Sequence, residues 1–229
     1  MPMGNKMMSW FFGVMMAVTM LVFNANADVS FQDSTNQQNR TLGVSLLTQF
    51  SAEEISQLEN AEPVVRVERD TSERNAAAHI VGAISIDASP KEIWAAMVDC
   101  ELAPEFVPNL VSCEITEEAE DGSYDIRRHI ISFSFLGFKV ENIFRSDYMP
   151  YDKISFHLVG GDLKRQEGAW TIIPQEDGQT IVIYEAYVAL GKPVPRFMVR
   201  RGMRKDMPEV LIALREQVLN AQGITDAQQ

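Results

Sequence analysis

A long run of short β-segments followed by a single helix is the feature that most constrains this chain. Between residues 110 and 190, alternating segments are separated by pairs such as Asp121-Gly122, Gly160-Gly161 and Asp177-Gly178. Glycine supplies the positive φ that tight hairpins need, so each pair marks a reversal of the chain. Six strands joined by short turns predict an antiparallel meander, with segments at roughly 110–117, 123–134, 138–148, 153–160, 163–173 and 180–190.

Further elements lie on both sides of this meander. A strand is predicted over 79–87, and the valines between residues 64 and 67 suggest a brief strand before it. After the meander, an apolar stripe at helical spacing comprises Val199, Met203, Met207, Leu211, Leu214 and Val218. Pro208 interrupts the stripe, so either one helix kinks there or a second helix starts with Asp206 as its cap.

The order of these elements indicates how the chain buries its apolar surface. A meander must cover its dry face, and the C-terminal helix is the large apolar partner available. A twisted sheet of about seven strands curls around such a helix. We therefore expect an α+β fold, in which a curved antiparallel sheet wraps a long C-terminal helix. A cavity between sheet and helix is the usual place for a ligand in this architecture.

The first 27 residues have the pattern of an export signal. Lys6 precedes an apolar run over 7–23, and the small residues Ala25 and Ala27 follow. This pattern predicts a signal peptide cleaved after Ala27, and therefore an exported protein in the periplasm or an equivalent space. The alternative is an uncleaved membrane anchor, although the run is shorter than the roughly 20 residues that span a bilayer comfortably.

Cys100 and Cys113 are the two cysteines of the chain. In an exported protein such a pair meets an oxidising compartment and favours a disulfide, worth about 3 kcal/mol for so short a loop. Two buried free thiols are the alternative, because cysteine packs well as a small hydrophobe. A metal site is disfavoured, since it needs three or four ligands and the histidines are scattered at positions 79, 129 and 157.

The net charge of -12 argues against sequence-independent binding to nucleic acid. One segment, 192–205, reverses this charge and contains no acidic residue. Three arginines recur there every four residues on one helix face, namely Arg196, Arg200 and Arg204. They could dock on anionic lipid headgroups while Phe197 and Met198 enter the interface. The alternative is a solvated face paired with the surplus carboxylates.

The stretch from Ile86 to Trp94, with Asp99 and then the segment 104–108 (PEFVP), resembles the opening of START-like helix-grip proteins. This superfamily, also called SRPBCC, includes polyketide cyclase/dehydrase-type proteins and coenzyme Q-binding proteins. The resemblance covers residues 78–222 and implies a helix-grip fold with a hydrophobic ligand, usually a lipid, sterol, isoprenoid or polyketide. It specifies the fold rather than a reaction, because members differ widely in activity.

The expected domain organisation follows from these observations. After the signal peptide at 1–27, residues 28–77 form an N-terminal extension with a short helix, for which Ser51 and Glu54 make a capping box. Residues 78–223 form a START-like ligand-binding domain, and residues 224–229 form a polar tail.

Aromatic and methionine side chains are the candidate lining of the cavity. They are Phe133, Phe135, Phe156, Trp170, Tyr184 and Tyr187 on strands, and Met203, Met207 and Leu211 on the helix. Phe106 lies in a short turn that, by the resemblance, sits near the pocket mouth. Rings and adaptable methionines suit an apolar ligand of irregular shape. The alternative for each residue is plain core packing.

His129 is the best single candidate for a polar residue in the pocket. Strand alternation places it on the same face as Arg127, Ile131 and Phe133, and the last two are predicted to face inward. A cyclase or dehydratase would need an acid or base there, for which His129 and Glu185 are candidates. A histidine at the sheet rim, satisfied by water, is the alternative. Without a nucleophile motif, phosphate loop or metal-ligand cluster, we expect no metal and no cofactor.

The favoured hypothesis is a non-enzymatic binding or carrier protein. It would hold a lipid, isoprenoid or sterol-like molecule between sheet and helix and shield it from water. A cyclase/dehydratase-type enzyme acting on a hydrophobic substrate is one alternative. A non-catalytic protein-interaction module is another.

Overall fold

The structure is a computed structural model that describes residues 45–69, 77–133, 137–191 and 196–226. The predicted signal peptide and Phe135 lie outside the described residues. Of Phe133 and Arg196 the structure describes the backbone only.

Within the part of the chain that the structure describes, eight strands form one antiparallel sheet. They are β1 (Val64–Arg69), β2 (Ala77–Ile86), β3 (Leu110–Glu118), β4 (Tyr124–Phe133), β5 (Phe138–Met149), β6 (Lys153–Gly161), β7 (Leu163–Pro174) and β8 (Thr180–Leu190). Their order across the sheet is β1-β2-β8-β7-β6-β5-β4-β3, so the meander is continuous and β2 pairs with its last strand. The strand beyond the expected seven is β1, which pairs with β2 from Val64 opposite Ala83 to Arg69 opposite Ala78.

Helices of the described ranges include α1 (Ala52–Glu59), α2 (Pro90–Val98), α3 (Ala103–Phe106) and α4 (Arg196–Asp226). Helix α1 begins where the sequence predicts. Ser51 and Glu54 form the capping box of α1, and Ser89 and Glu92 form that of α2. Each reciprocal pair satisfies backbone N–H groups that a helix start leaves without partners.

Helix α4 is a single helix that contains Pro208, so Asp206 lies inside it and does not cap a second helix. The helix continues past Gly223 to Asp226. One interior proline removes one backbone hydrogen bond. Buried side chains on both sides of it, such as Met203 and Leu214, hold the helix against the sheet and offset this loss.

The apolar stripe of α4 packs on the inner face of the sheet. Its first half joins a core cluster with Ile80 of β2 and Phe156 of β6. Its second half joins another cluster with Ile84 of β2 and Val182 of β8. Gly82 permits the close approach, because a Cβ atom added there would lie 3.2 Å from the Leu211 side chain. The predicted α+β fold, a curved sheet around a long C-terminal helix, is confirmed.

The N-terminal extension covers the outer face of the same sheet. Phe50 and Leu58, the latter on α1, pack against Val81, Ala83 and Ile183. Successive residues of a strand point to opposite faces, so β2 is buried on both sides. This placement explains the role of the extension, which supplies an edge strand and an outer layer.

Candidate functional site

Two adjoining chambers lie between the inner face of the sheet and α4. Their volumes are about 220 Å³ and about 170 Å³. Together they reach the lower part of the roughly 300–1,000 Å³ range typical of ligand pockets. Residues that line both include Val107, Leu110, His129, Phe156, Trp170 and Val210. The shared walls are mainly apolar, so the space suits a molecule that avoids water.

The structure brings most of the predicted lining residues together. The first chamber is lined by His129, Phe156, Trp170, Tyr184, Met203 and Met207. Phe106 of α3 lines the second chamber, next to Val107. The rings of Phe156 and Tyr184 are stacked with centroids 5.8 Å apart, and Trp170 lies 4.5 Å from Tyr184. A continuous aromatic wall therefore faces the cavity.

Two predicted lining residues lie elsewhere. Tyr187 stacks on His79 with ring centroids 4.4 Å apart, on the outer face of the sheet. Tyr184 faces inward, and a step of three residues along a strand changes the face. Leu211 is completely buried among core side chains of β2 and β8 and lines neither chamber.

His129 lies in the cavity wall rather than at the sheet rim. Its ring meets the ring of Phe144 edge-on at 4.8 Å, and its Nε2 atom lies 3.2 Å from Sγ of Cys113. Burial lowers the pKa of His129 from 6.5 to about 4, and the positive charge of Arg127 acts in the same direction. The imidazole is therefore neutral at physiological pH.

Glu185 cannot act in this cavity. Its Oε1 atom lies 2.9 Å from Nε2 of His79, on the outer face. Because Tyr184 faces inward, the next residue must face outward. The hypothesis that Glu185 is a proton carrier in the pocket is therefore wrong.

A buried ionic network forms part of the second chamber. Arg127 donates from Nε to Oδ2 of Asp125 at 2.8 Å, and from Nη2 to the carbonyl of Val98 and the hydroxyl of Tyr148, each at 2.8 Å. The Tyr148 hydroxyl donates to Asp125 Oδ2 at 2.6 Å. Burial raises the pKa of Tyr148, so its hydroxyl stays protonated. The sequence pattern predicts Arg127 on this face but does not reveal its three partners, although Asp125 lies two residues before it.

Three buried oxygen atoms around the first chamber have no hydrogen-bond partner within the described part of the chain. They are Oδ1 of Asn142, Oε1 of Gln166 and Oδ2 of Asp206. A buried polar atom without a partner costs about 1–3 kcal/mol. Burial raises the pKa of Asp206, as does nearby Glu209, whereas Lys205 opposes them. From the sequence, Asp206 is predicted only as a helix cap, and no pattern points to Asn142 or Gln166.

Cys100 and Cys113 form a disulfide with a Cα–Cα distance of 5.4 Å. It fastens the chain just after α2 to strand β3, beside His129. Of the two alternatives that the sequence left open, the structure contains the bridge.

The basic residues described at the start of α4 differ in whether they bond to other parts of the protein. Arg204 donates from Nη2 to the carbonyl of Val67 on β1 at 3.0 Å. Neither Arg200 nor Arg201 forms an ion pair with any described residue. Phe197, one turn before Arg201, is 65% exposed. An exposed ring therefore stands beside two cationic side chains.

Two further kinds of feature are absent from the described ranges. No group of three His, Cys, Asp or Glu side chains there is placed to hold a metal ion. None of the helices in those ranges has the length and hydropathy required to cross a bilayer.

A family model described as polyketide cyclase / dehydrase and lipid transport matches residues 86–215, more than half of the chain. The chain belongs to this family. The matched segment runs from the end of β2 into α4 and includes both chambers' aromatic walls. No curated protein matches the chain.

Solved structures that resemble the chain have the fold of this polyketide cyclase / dehydrase and lipid transport family. The STAR-related lipid transfer protein of Xanthomonas axonopodis has a TM-score of 0.57 and 17% identity, over 68% of this chain and 93% of its own. A START superfamily protein of Mycobacterium smegmatis has a TM-score of 0.55 and 23% identity, over 62% and 98%. The Zhui aromatase/cyclase of Streptomyces sp. R1128 has a TM-score of 0.55 and 16% identity, over 62% and 93%. At these identities the likeness extends to the fold alone.

Proposed function

We propose that this protein is an exported binding or carrier protein for a hydrophobic small molecule, of the lipid, isoprenoid or sterol-like kind. The observation that carries the proposal is the pair of apolar chambers enclosed by the sheet and α4. The family description includes lipid transport, and one structural relative is named a lipid transfer protein.

Burial of an apolar ligand in the chambers would supply enough free energy to bind it, and no catalytic group is needed. Burying about 300 Å² of ligand surface at roughly 25 cal/mol per Å² stabilises the complex by about 7.5 kcal/mol before association costs. The stacked rings of Phe156 and Tyr184 and the adaptable side chains of Met203 and Met207 supply such a surface.

Export of the protein is supported by two features. Residues 1–27 carry the pattern of a cleavable signal peptide. The disulfide between Cys100 and Cys113 is the kind of bond that persists in an oxidising compartment.

Contact with an anionic membrane is the route by which such a carrier would exchange its ligand. Phe197 is exposed next to Arg200 and Arg201, and the same helix lines the first chamber through Met203. Each cationic side chain near an anionic surface contributes about 1 kcal/mol. Of the basic face expected from the sequence, Arg196, Arg200 and Arg204, the last is bonded to Val67, so the surface proposed for this contact is Phe197 with Arg200 and Arg201.

A cyclase or dehydratase is the second candidate function, and one observation favours it. His129 lies neutral in the cavity wall, in a form that can accept a proton. Its Nε2 atom, however, faces the disulfide rather than a carboxylate that would orient the ring. The carrier proposal needs no such partner.

Extraction of the protein purified from its natural host, followed by mass spectrometry, tests the proposal. We expect an apolar molecule to accompany the wild-type protein. Val210, which lines both chambers, is the site for a blocking variant, Val210→Phe, and exposed Leu219 on the same helix provides the control Leu219→Phe. The blocking variant should lose the molecule and the control should keep it.

Other outcomes separate the alternatives. A wild-type protein that carries no apolar molecule and binds no apolar dye would overturn the carrier proposal and favour an interaction module. Turnover of a hydrophobic substrate that His129→Ala abolishes, with binding retained, would favour the enzyme instead.

A further inference from the structure

We infer that the ligand of the first chamber has a polar head that donates hydrogen bonds, an alcohol or an amine, and that the carboxylate of Asp206 accepts from it. This inference rests on the proposed function and specifies the chemical class of its ligand.

The polar groups of the first chamber point to this chemistry. Asp206 is 6% exposed and Asn142 is 2% exposed, and each presents a buried oxygen without a partner among the described residues. Gln166 adds a third such oxygen in the same chamber. Buried polar atoms in folded proteins are almost always hydrogen-bonded, so three exceptions around one chamber indicate that a bound molecule completes them.

Asp206 differs from the other buried aspartate, Asp125. The Oδ2 atom of Asp125 accepts hydrogen bonds from Arg127 and Tyr148, and the guanidinium neutralises the carboxylate, although its Oδ1 atom has no partner among the described residues. Asp206 has no ion pair with any described residue. An ionised carboxylate accepts hydrogen bonds and cannot donate them, which leaves a donating ligand group as its natural complement.

The same argument disfavours a carboxylate head. A fatty acid would bring a second negative charge into a buried chamber beside Asp206, and like charges there repel strongly. The amide side chains of Asn142 and Gln166 complement either a hydroxyl or an amine, because each amide contains an acceptor and donors.

The two chambers then have separate roles. Asn142, Gln166 and Asp206 line the first chamber and not the second. The second chamber is lined by apolar side chains such as Phe106 and Leu214, and its polar residues Arg127 and Tyr148 are hydrogen-bonded to each other. The head therefore occupies the first chamber, and the apolar tail extends past Phe156 and Trp170, which line both.

The test is displacement of the neutral apolar dye Nile red from the whole protein by dodecanol, dodecylamine and dodecanoate. In the wild-type protein we expect dodecanol, dodecylamine or both to bind at least about tenfold more tightly than dodecanoate, the effect of one charge-assisted hydrogen bond. Asp206→Leu should reduce this ratio to within about threefold, while exposed Glu209→Leu on the same helix should preserve it.

Asp206→Asn distinguishes the two donating heads. The amide still accepts from an alcohol but has no charge for an ammonium group, so a preference for dodecanol persists and one for dodecylamine disappears. Asn142→Leu provides a second variant on a different element, and should weaken dodecanol binding without weakening Nile red binding.

Two results would overturn the inference, and they differ from failure of the proposed function. Dodecanoate binding as tightly as the other two probes would reject it, as would an unchanged ratio in folded Asp206→Leu. In both cases Nile red still binds and the carrier proposal survives. If Nile red does not bind the wild-type protein at all, the proposed function itself fails.

Discussion

The Nε2 atom of His129 lies 3.2 Å from the Sγ atom of Cys113, so a buried neutral imidazole and the disulfide share one wall of the cavity. The contact joins the centre of β4 to the bridge that fastens β3 to the chain after α2. Changes at either residue should therefore affect both stability and the shape of the cavity.

The first prediction concerns acid stability. Burial lowers the pKa of His129 to about 4 in the folded protein from its ordinary value of 6.5, so the unfolded chain binds the extra proton first as the pH falls. The free energy of unfolding should therefore fall as the pH falls from about 6.5 to 4, by roughly 3 kcal/mol from this residue. Urea titrations across this range measure the slope.

His129→Gln should remove this component of the slope. His157, whose side chain is 52% exposed on the outer face, provides the matched control His157→Gln, which should retain it. Equal slopes in the wild-type protein and His129→Gln would contradict the prediction.

The second prediction concerns the disulfide. Replacing Cys100 and Cys113 together by alanine should lower the free energy of unfolding by about 3 kcal/mol, because the bridge restricts the unfolded chain. A free-thiol assay under denaturing, non-reducing conditions should detect no thiol in the wild-type protein. Reductant should destabilise the wild-type protein and leave the double variant unchanged; one free thiol per cysteine would contradict the bridge.

The third prediction compares two adjacent arginines. Arg127→Met leaves Asp125 as an unpaired buried charge and should cost about 3–5 kcal/mol of stability. Arg128→Met removes ion pairs with Glu114 and Glu141 on the exposed face and should cost less than about 1 kcal/mol. Equilibrium denaturation measures both, and similar losses in the two variants would show that the buried network is not a main support of β4.

The fourth prediction concerns Asp206, whose carboxylate lines the first chamber. The pKa of Asp206 is raised, so its ionised form destabilises the fold, and this effect grows as the pH rises above 3.8 through the folded-state pKa. Asp206→Leu should therefore stabilise the ligand-free protein at neutral pH by about 1–3 kcal/mol. Thermal denaturation measures the change, and exposed Glu209→Leu should show no comparable gain.

The fifth prediction concerns membrane contact. Phe197→Ser combined with Arg200→Gln and Arg201→Gln should weaken binding to vesicles of anionic phospholipid by at least about tenfold, since each charge contributes about 1 kcal/mol. Sedimentation with vesicles measures the affinity. Exposed Val159→Ser on β6 is the control and should bind like the wild-type protein. Equal binding by the triple variant would exclude this face as the docking surface.

Much of the fold could be predicted because its signals are local. The Asp–Gly and Gly–Gly turn signals predicted the meander strands to within one or two residues of their observed bounds, as with β7 at Leu163–Pro174. Ser51 and Glu54 likewise marked a helix start through a capping box that spans only four residues. Such motifs act through neighbouring residues and need no tertiary contact.

The site was less predictable because it depends on which face each residue occupies and on distant partners. Tyr187 and Glu185 could have been excluded by counting alternation from Tyr184, which faces the cavity. The oxygen atoms of Asn142 and Asp206 that lack a hydrogen-bond partner among the described residues could not have been predicted from the sequence. They come together only when β5 and α4 pack across the chamber.

Pro208 leaves the long helix α4 without one of its backbone hydrogen bonds. Proline has no N–H, so the carbonyl of Arg204 lacks its usual donor one turn ahead, next to Asp206 and the first chamber. The parts of α4 before and after this point are anchored in separate core clusters. Any bending of α4 is therefore expected at this point, between two halves that each keep their own core contacts.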